Sequence, residues 1–369
     1  MDNKKAPRKR PQTAQARSVV PTPPASTAPH AAVIGAGMAG VACARTLLQA
    51  GWQVTVFEKS RGFGGRMATR RTEFGGFDHG AQYFTVRDSR FDRALQTAPA
   101  LVRPWSVSTV RVLDEFGQVL ESAPVPTEPH FVAVPGMSGL VHHWAQPLAP
   151  HTQLDTRVQR IERDALHPAQ WQLRVEGADG GQRVLGGFDR VLLATPHLQA
   201  HDLLQASGLA PDFRQALNAV QVAPCWTLMV AYPNAMQPGL STLGPQWNAA
   251  RSTHHRISWL ARENSKPGRE RIERWTIQAS PAWSLKHLED DPERVKAKLL
   301  KGFAEITGIR ATPPHAVVHR WRFAQTQVPL GRSHLYDAGL GLGLCGDWCL
   351  GHRVEDAFIS GLELALTMV

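Results

Sequence analysis

Ala31-Ala-Val-Ile-Gly35-Ala-Gly37-Met-Ala-Gly40 is an apolar strand followed by a G-x-G-x-x-G turn that opens a helix. Gly35 makes the tight turn out of the strand, and Gly37 lets backbone amides approach a pyrophosphate. Gly40 lets the helix pack closely on the sheet, so that free amides and the positive end of the helix dipole face the phosphates. The sequence therefore predicts a strand–turn–helix unit that binds a dinucleotide.

A second predicted strand, Val54-Thr-Val-Phe57, leads to Glu58, which follows Gly40 by 18 residues. An acid at this distance from the glycine turn accepts hydrogen bonds from ribose hydroxyls. Ala39 in the turn and Lys59 beside the acid are assigned to the same cofactor site. A βαβ unit that binds nothing is the alternative, but strand, helix and acid together favour a dinucleotide.

The sequence Gly64-Gly65-Arg66 narrows the choice of dinucleotide. Its glycine pair allows another close backbone approach, and Arg66 is a cation suited to phosphate oxygens. A solvated surface arginine is the alternative for Arg66 alone. The spacing resembles the FAD-binding signature of glutathione-reductase and amine-oxidase flavoproteins more than that of a nicotinamide dehydrogenase.

The composition, with 43% hydrophobic and 20% charged residues, is that of a soluble globular protein. No apolar run approaches the roughly 20 residues that a membrane helix needs. Four cysteines without C-x2-C pairs suit a reducing cytosol, so the prediction is cytoplasmic, without a metal. The motifs G-x-S-x-G and H-E-x-x-H, which mark serine hydrolases and zinc proteases, are absent from the sequence.

Residues 1–29 form a predicted disordered tail that is rich in proline and alanine and strongly basic. The tail carries much of the formal net charge of +10. It lacks the apolar segment of a secretory signal peptide. A tether to nucleic acid or to an anionic membrane is the alternative, and the sequence favours neither partner over a solvated tail.

The remaining chain predicts an α/β fold with two interleaved domains. Residues 188–196 are a buried parallel strand ending in a turn, and residues 341–347 are another, followed by a C-terminal helix. We expect a Rossmann-like FAD-binding domain with an inserted α+β substrate domain built on an antiparallel sheet, and a ligand crevice between them. The predicted FAD-binding segments are 30–84, 148–203 and 310–369, and the substrate segments are 85–147 and 204–309.

After residue 30 the chain resembles bacterial renalase-like flavoproteins, a branch of the FAD-dependent amine-oxidase superfamily. It departs from amine oxidases proper because no obvious tyrosine or tryptophan pair lies near its C-terminal flavin motif. The resemblance rests on Gly64-Gly-Arg-Met67, Asp78-His-Gly-Ala-Gln-Tyr-Phe-Thr85, Pro135-Gly-Met-Ser-Gly139, Leu193-Ala-Thr-Pro196, Trp259-Leu-Ala-Arg-Glu-Asn-Ser-Lys-Pro-Gly268, Trp283-Ser284 and Cys345-Gly-Asp-Trp348.

The resemblance implies a set of FAD contacts along the crevice. The glycine turn and Arg66 would hold the pyrophosphate, and Glu58 would hold the adenosine ribose. Gln82 and Tyr83 would lie near the isoalloxazine or ribityl chain, and the Val158 backbone would contact the adenine. Asp347 would accept a hydrogen bond from the ribityl or pyrophosphate region. The helix N-terminus near Val354 would point its amides at the flavin N1–C2=O edge. An ordinary turn or helix-capping carboxylate is the alternative for Asp347.

The resemblance also implies an activity: oxidation of 2- or 6-dihydro isomers of NAD(P) by hydride transfer to flavin N5, with O2 as acceptor and hydrogen peroxide as product. Such a reaction needs no general base, because rearomatisation of the dihydropyridine expels the hydride and the cofactor carries the chemistry. No catalytic side chain is therefore assigned. The substrate-pocket candidates are Tyr83, Met137, Trp226 and Trp259. Two alternatives remain, a flavin amine oxidase and a non-catalytic flavin-binding module tethered by the basic tail.

Overall fold

A computed structural model describes residues 28–106, 110–121, 128–236 and 247–369. The predicted basic tail lies almost wholly outside these described residues. The strands in chain order are β1 (His30–Ile34), β2 (Gln53–Phe57), β3 (Thr69–Thr72), β4 (Gly75–Asp78), β5 (Val102–Trp105), β6 (Val110–Leu113), β7 (His130–Ala133), β8 (Thr152–Gln153), β9 (Arg157–Arg163), β10 (Trp171–Glu176), β11 (Gln182–Phe188), β12 (Arg190–Leu193), β13 (Gln221–Tyr232), β14 (Ala249–Ser252), β15 (Ile257–Arg262), β16 (Glu273–Ala279), β17 (His315–Val328), β18 (Leu335–Asp337) and β19 (Leu342–Leu344).

Helices connect these strands, and none in the described ranges is long and apolar enough to cross a bilayer. Short 3-10 turns follow several strands, including Gly65–Met67 and Asp347–Cys349. The α-helices are α1 (Met38–Gln49), α2 (Ser89–Leu95), α3 (Ser138–Ala145), α4 (His197–Ser207), α5 (Pro211–Leu217), α6 (Pro281–Lys286), α7 (Pro292–Thr307) and α8 (Val354–Leu366).

The first large sheet contains the predicted strand–turn–helix unit. Its order is β18-β19-β12-β1-β2-β8, and every neighbouring pair is parallel except β18 with β19. Strands β1 and β12 are almost wholly buried, because helices and further strands cover both faces of a parallel sheet. The turns after β1, β2, β12 and β19 therefore meet at one edge, where ligands bind in open α/β sheets.

The second large sheet has the order β17-β13-β16-β15-β14-β6 and is antiparallel except for the β14–β6 pair. Helix α7 covers one face of it, where Leu299 and Phe303 pack with Trp275 in a buried apolar cluster. The opposite face borders a large cavity beside the first sheet. The predicted α/β fold with a second, antiparallel sheet is thus confirmed.

The position of β17 corrects one predicted boundary. The sequence assigned residues 310–369 to the FAD-binding region, but β17 pairs with β13 along most of its length. Its alternating side chains match the pleat of the antiparallel sheet, so residues 315–328 belong with that sheet. Only the segment from β18 onward joins the parallel sheet.

The C-terminal helix α8 packs closely against α1. A Cβ atom added at Gly361 would lie only 2.0 Å from the carbonyl oxygen of Ala39, so only glycine fits there. Gly40 is similarly restricted, since its Cβ would lie 1.8 Å from the Gly35 carbonyl oxygen. Because the backbones come so close at these two glycines, helix α8 packs directly against α1 and the glycine turn after β1.

We predict that Gly361→Ala lowers the free energy of unfolding by about 1–3 kcal/mol, because overpacking outweighs the better helix propensity of alanine. Urea denaturation followed by circular dichroism measures the change. Gly339→Ala is the control, because the atom nearest to an added Cβ there, Asp337 Oδ1, lies at 3.4 Å, an ordinary van der Waals distance. Equal unfolding midpoints for the two variants would contradict the tight crossing of α1 and α8.

Candidate active site

A cavity of about 1860 Å³ lies between the ligand edge of the parallel sheet and the exposed face of the antiparallel sheet. The glycine turn after β1, the turn after β2 and the 3-10 turn after β19 border it on one side. Strands β14 to β17 border it on the other side. Residues distant in sequence are therefore gathered around one large cleft.

The turn after β1 presents backbone, and no capping side chain, to the cavity. Gly35 has a φ of +109°, a conformation that favours glycine, and an added Cβ would lie 2.6 Å from the Ala194 carbonyl oxygen. Gly37 is the N-cap of α1 and makes no side-chain cap hydrogen bond. The first amides of a helix have no intrahelical partner, so the N-terminus of α1 is open to an anion.

Glu58 lies at the end of β2 with its carboxylate held in place by backbone amides. Its Oε2 atom accepts a hydrogen bond from the Ala36 amide at 2.8 Å, and Oε1 accepts one from the Ser60 amide at 2.9 Å. The Ser60 hydroxyl also donates to Oε1. Glu58 is mostly buried but borders the cavity, and its Oε2 atom, which accepts one of these bonds, can accept a further bond.

Arg66 pairs with Asp347 across the cavity wall. Its Nη1 atom donates to Asp347 Oδ2 at 2.8 Å, and Nη2 donates to Oδ1, so the pair is bidentate. Nη1 also donates to the Ala324 carbonyl oxygen at 3.3 Å. The two charges fix the glycine-rich turn after β2 against the turn after β19.

Most of the predicted site residues border this cavity, whereas three do not. Gly40 is packed under the turn, as described above. Met137 and Trp226, which the sequence assigns to the substrate pocket, are almost fully buried and do not line the cavity. The predicted residues that border the cavity are Gly35, Gly37, Ala39, Glu58, Lys59, Arg66, Gln82, Tyr83, Val158, Trp259, Asp347 and Val354.

The two displaced pocket candidates have specific reasons for their burial. The backbone amide of Met137 donates to Asp78 Oδ1 at 2.9 Å, and its side chain packs in the apolar core beside the parallel sheet. On β13, Trp226 points to the face opposite its neighbour Thr227, and its indole donates to the His287 carbonyl oxygen at 2.9 Å. Neither position could be derived from residue type.

A buried ion cluster behind Gln82 received no role from the sequence. The Lys266 ammonium donates to Asp78 Oδ2 at 3.2 Å, to Gln82 Oε1 at 3.2 Å and to Glu263 Oε1 at 3.1 Å. Arg269 also donates to Asp78 Oδ2, at 2.6 Å. Burial alone would raise the pKa of Asp78, but Lys266 and Arg269 hold it at about 2. The cluster thus fixes the Gln82 amide from behind.

Three histidines near the cavity are neutral at physiological pH. Burial, with nearby His319 and Arg70, lowers the pKa of His79 from 6.5 to about 4. Burial and Arg70 lower the pKa of His319 to about 4, and burial with Arg251 lowers that of His130 to about 4. Such imidazoles are weak bases at neutral pH.

Comparison with known proteins identifies the class. The family described as flavin containing amine oxidoreductase matches residues 123–368, and an NAD(P)-binding Rossmann-like domain matches residues 33–97. The chain belongs to the flavin containing amine oxidoreductase family. The cofactor of the protein is FAD.

Solved structures with the same fold are similar over nearly the whole chain. One is a protein from Exiguobacterium sp. 255-15 provisionally assigned as a protoporphyrinogen oxidase, with a TM-score of 0.70 and 14% identity over 93% of this chain and 99% of that one. Another is cyclohexylamine oxidase from Brevibacterium oxydans IH-35A, with a TM-score of 0.69 and 14% identity over 92% and 98%. At this identity the likeness concerns the fold alone.

The residues around the cavity fit FAD. Gly37 and Gly65 face each other, and a Cβ at Gly65 would lie 3.2 Å from the Gly37 Cα, so the two turns form a surface of backbone without side chains. The open N-terminus of α1 suits a pyrophosphate, and the fixed Glu58 carboxylate suits ribose hydroxyls. The edge of the parallel sheet therefore has the chemistry that a flavin dinucleotide needs.

We predict that Arg66→Ala weakens FAD binding by about 1.5–3 kcal/mol, the contribution of hydrogen bonds to a charged group. The substitution also leaves the buried Asp347 carboxylate without its cation. Flavin released on dilution, measured by fluorescence, gives the dissociation constant. Arg71→Ala changes an exposed arginine on β3 outside the cavity and should retain wild-type affinity. Equal affinity of both variants would show that Arg66 does not support the cofactor.

We predict that the free energy of unfolding falls as the pH drops from about 6.5 to about 4. In this window unfolded histidines bind protons that the buried His79, His130 and His319 do not, so acid favours the unfolded state. Urea titrations at about pH 7 and about pH 5 measure the slope. His79→Gln should reduce the slope, whereas His167→Gln, at an exposed position, is the control. An unchanged slope in His79→Gln would contradict the lowered pKa.

Proposed function

We propose that this flavoprotein oxidises dihydronicotinamide dinucleotides, the 2- and 6-dihydro isomers of NAD and NADP, to NAD(P)+ with O2 as the electron acceptor. The sequence motifs that resemble bacterial renalase-like flavoproteins motivate the proposal. The charge distribution around the cavity supports it, because it suits an anionic substrate better than an ammonium.

The distribution of acids is the observation that carries the proposal. Among the described residues, the carboxylates that line the cavity are Glu58, Asp202 and Asp347, all on the side of the parallel sheet. The antiparallel sheet contributes Arg251, Arg320 and Arg322 but no lining acid. An ammonium substrate would be repelled by this wall, whereas phosphates would be attracted to it.

The reaction suits a wall without a strong base. The ring nitrogen lone pair of a dihydropyridine expels the hydride as the ring becomes aromatic, so no side chain must remove a proton. The neutral, weakly basic His79, His130 and His319 agree with this chemistry. When bound, FAD would supply the hydride acceptor, flavin N5, and the route by which the two electrons reach O2.

In this proposal the protein binds and orients the two dinucleotides. The N-terminus of α1 and Arg66 hold the FAD pyrophosphate, and the fixed carboxylate of Glu58 holds the ribose. The N-terminus of α8, near Val354, stabilises negative charge on the flavin ring edge. The parallel sheet and the strands packed on it then form the FAD-binding domain, and the antiparallel sheet forms the substrate domain.

In this proposal Tyr83 and Trp259 provide an aromatic surface for the nicotinamide ring. Both border the cavity, and their ring centroids lie 5.6 Å apart at an interplanar angle of 40°. The same pair is the observation that favours the second candidate function, a flavin amine oxidase, because two aromatic rings can also flank an amine substrate. The two functions differ in the charge of the substrate.

Anaerobic reduction separates the two candidates. We predict that 6-dihydro-NAD bleaches the flavin absorbance, which lies near about 450 nm for this cofactor type, while cyclohexylamine and benzylamine do not. Admission of air should restore the colour and release one hydrogen peroxide per turnover, as measured with a peroxidase-coupled dye. Boiled protein and free FAD are the controls.

Bleaching by an amine and not by dihydronicotinamides would establish the amine oxidase instead. If no reductant of either class bleached the flavin, a non-catalytic flavin module would be favoured. Salt-sensitive DNA binding by the full chain, lost on deletion of residues 1–29, would then support the tethered form.

A further inference from the structure

A row of five side chains crosses the antiparallel sheet on the face that borders the cavity. Arg251 on β14 is opposite Trp259 on β15, which is opposite Gln278 on β16. Gln278 is opposite Thr227 on β13, and Thr227 is opposite His319 on β17. Residues directly opposed in a sheet point to the same face. All members except the fully buried Thr227 line the cavity.

The cation at one end of this row, Arg251, differs from the other two arginines that the antiparallel sheet contributes to the cavity wall. Arg320 and Arg322 share the single carboxylate of Glu289, which offsets one of their two positive charges. Within residues 28–106, 110–121, 128–236 and 247–369, Arg251 has neither an ion-pair nor a hydrogen-bond partner. Its guanidinium is exposed and borders the cavity.

Two aromatic side chains, Trp259 and Tyr83, follow Arg251 along the cavity wall. Trp259 is 8% exposed, and its buried indole N–H has no hydrogen-bond partner among the described residues. Tyr83 lies 5.6 Å from Trp259 and stacks on His130 at a centroid distance of 3.8 Å. Because His130 is neutral, Arg251 supplies the positive charge at this end of the row.

We infer that Arg251 is a specificity-determining residue that binds a phosphate group of the substrate while the ring of the substrate lies against Tyr83 and Trp259. A planar guanidinium binds phosphate oxygens in a bidentate manner and is more weakly hydrated than an ammonium. This inference rests on the proposed function and adds the residue that selects the charged part of the substrate.

If Arg251 has this role, the affinity of the enzyme for a substrate depends on the phosphate groups of that substrate and not on its nicotinamide ring. A phosphate held equally in the ground state and in the transition state changes KM and leaves kcat unchanged. The phosphate that Arg251 binds belongs either to the nicotinamide mononucleotide half of the substrate or to its adenosine half. The 6-dihydro forms of nicotinamide riboside, nicotinamide mononucleotide, NAD and NADP separate these sources, since they add phosphates stepwise.

The experiment compares the FAD-loaded wild type with Arg251→Gln and Arg251→Lys on these four substrates. We expect Arg251→Gln to raise KM about 10- to 100-fold for each substrate that carries the recognised phosphate, without a change in kcat or in KM for the riboside. Arg251→Lys should restore part of the affinity, because it keeps the charge and loses the planar fork. Arg271→Gln, at an exposed arginine outside the cavity, is the matched control.

The outcomes distinguish this inference from the proposed function. An equal rise in KM for riboside and nucleotides, or no rise in any, would overturn the role of Arg251 and leave the dihydronicotinamide reaction standing. If the wild type oxidised none of the four, the proposed function would fail. Inorganic pyrophosphate, titrated against tryptophan fluorescence, would then test Arg251 directly, and equal binding by wild type and Arg251→Gln would overturn the inference.

Discussion

The ion pair between Arg66 and Asp347 joins two parts of the chain that lie 281 residues apart. Each residue lies in a turn at the ligand edge of the parallel sheet, and both line the cavity. Two partly buried charges attract each other more strongly than surface charges do, because less water screens them. The same arginine reaches the Ala324 carbonyl oxygen on β17, so one guanidinium links the parallel sheet to the antiparallel one.

The buried cluster around Lys266 has a comparable role deeper in the molecule. It contains two acids, Asp78 and Glu263, and two cations, Lys266 and Arg269, with side chains that are almost completely inaccessible to water. Removing one member would leave an uncompensated buried charge. Together the two ion clusters make the space between the sheets a fixed cavity, which a reaction that depends on ring alignment requires.

The glycine turn, the acid at Glu58 and the C-terminal helix were predictable because each belongs to a local pattern with one physical meaning. The fold class followed from the same patterns. The positions of Met137 and Trp226, which do not line the cavity, could not be predicted from residue type. Met137 is the N-cap of α3, where its amide donates to Asp78, and Trp226 lies on β13. Which face of a strand points inward depends on register, and register is determined by partners far away in sequence. The membership of β17 in the antiparallel sheet and the row that begins at Arg251 depend on the same long-range pairing.

Strand β17 has a consequence for how this protein can diversify. His319 and Trp321 on this strand border the cavity, and Ala324 and Thr326 further along it contact Arg66 and Asp347. Inserting or deleting a single residue in it would reverse the facing of every later side chain. Both ends of the cavity would be damaged at once. Evolution of a new substrate range would therefore proceed by substitutions along β17, while the length of β17 itself stays constant.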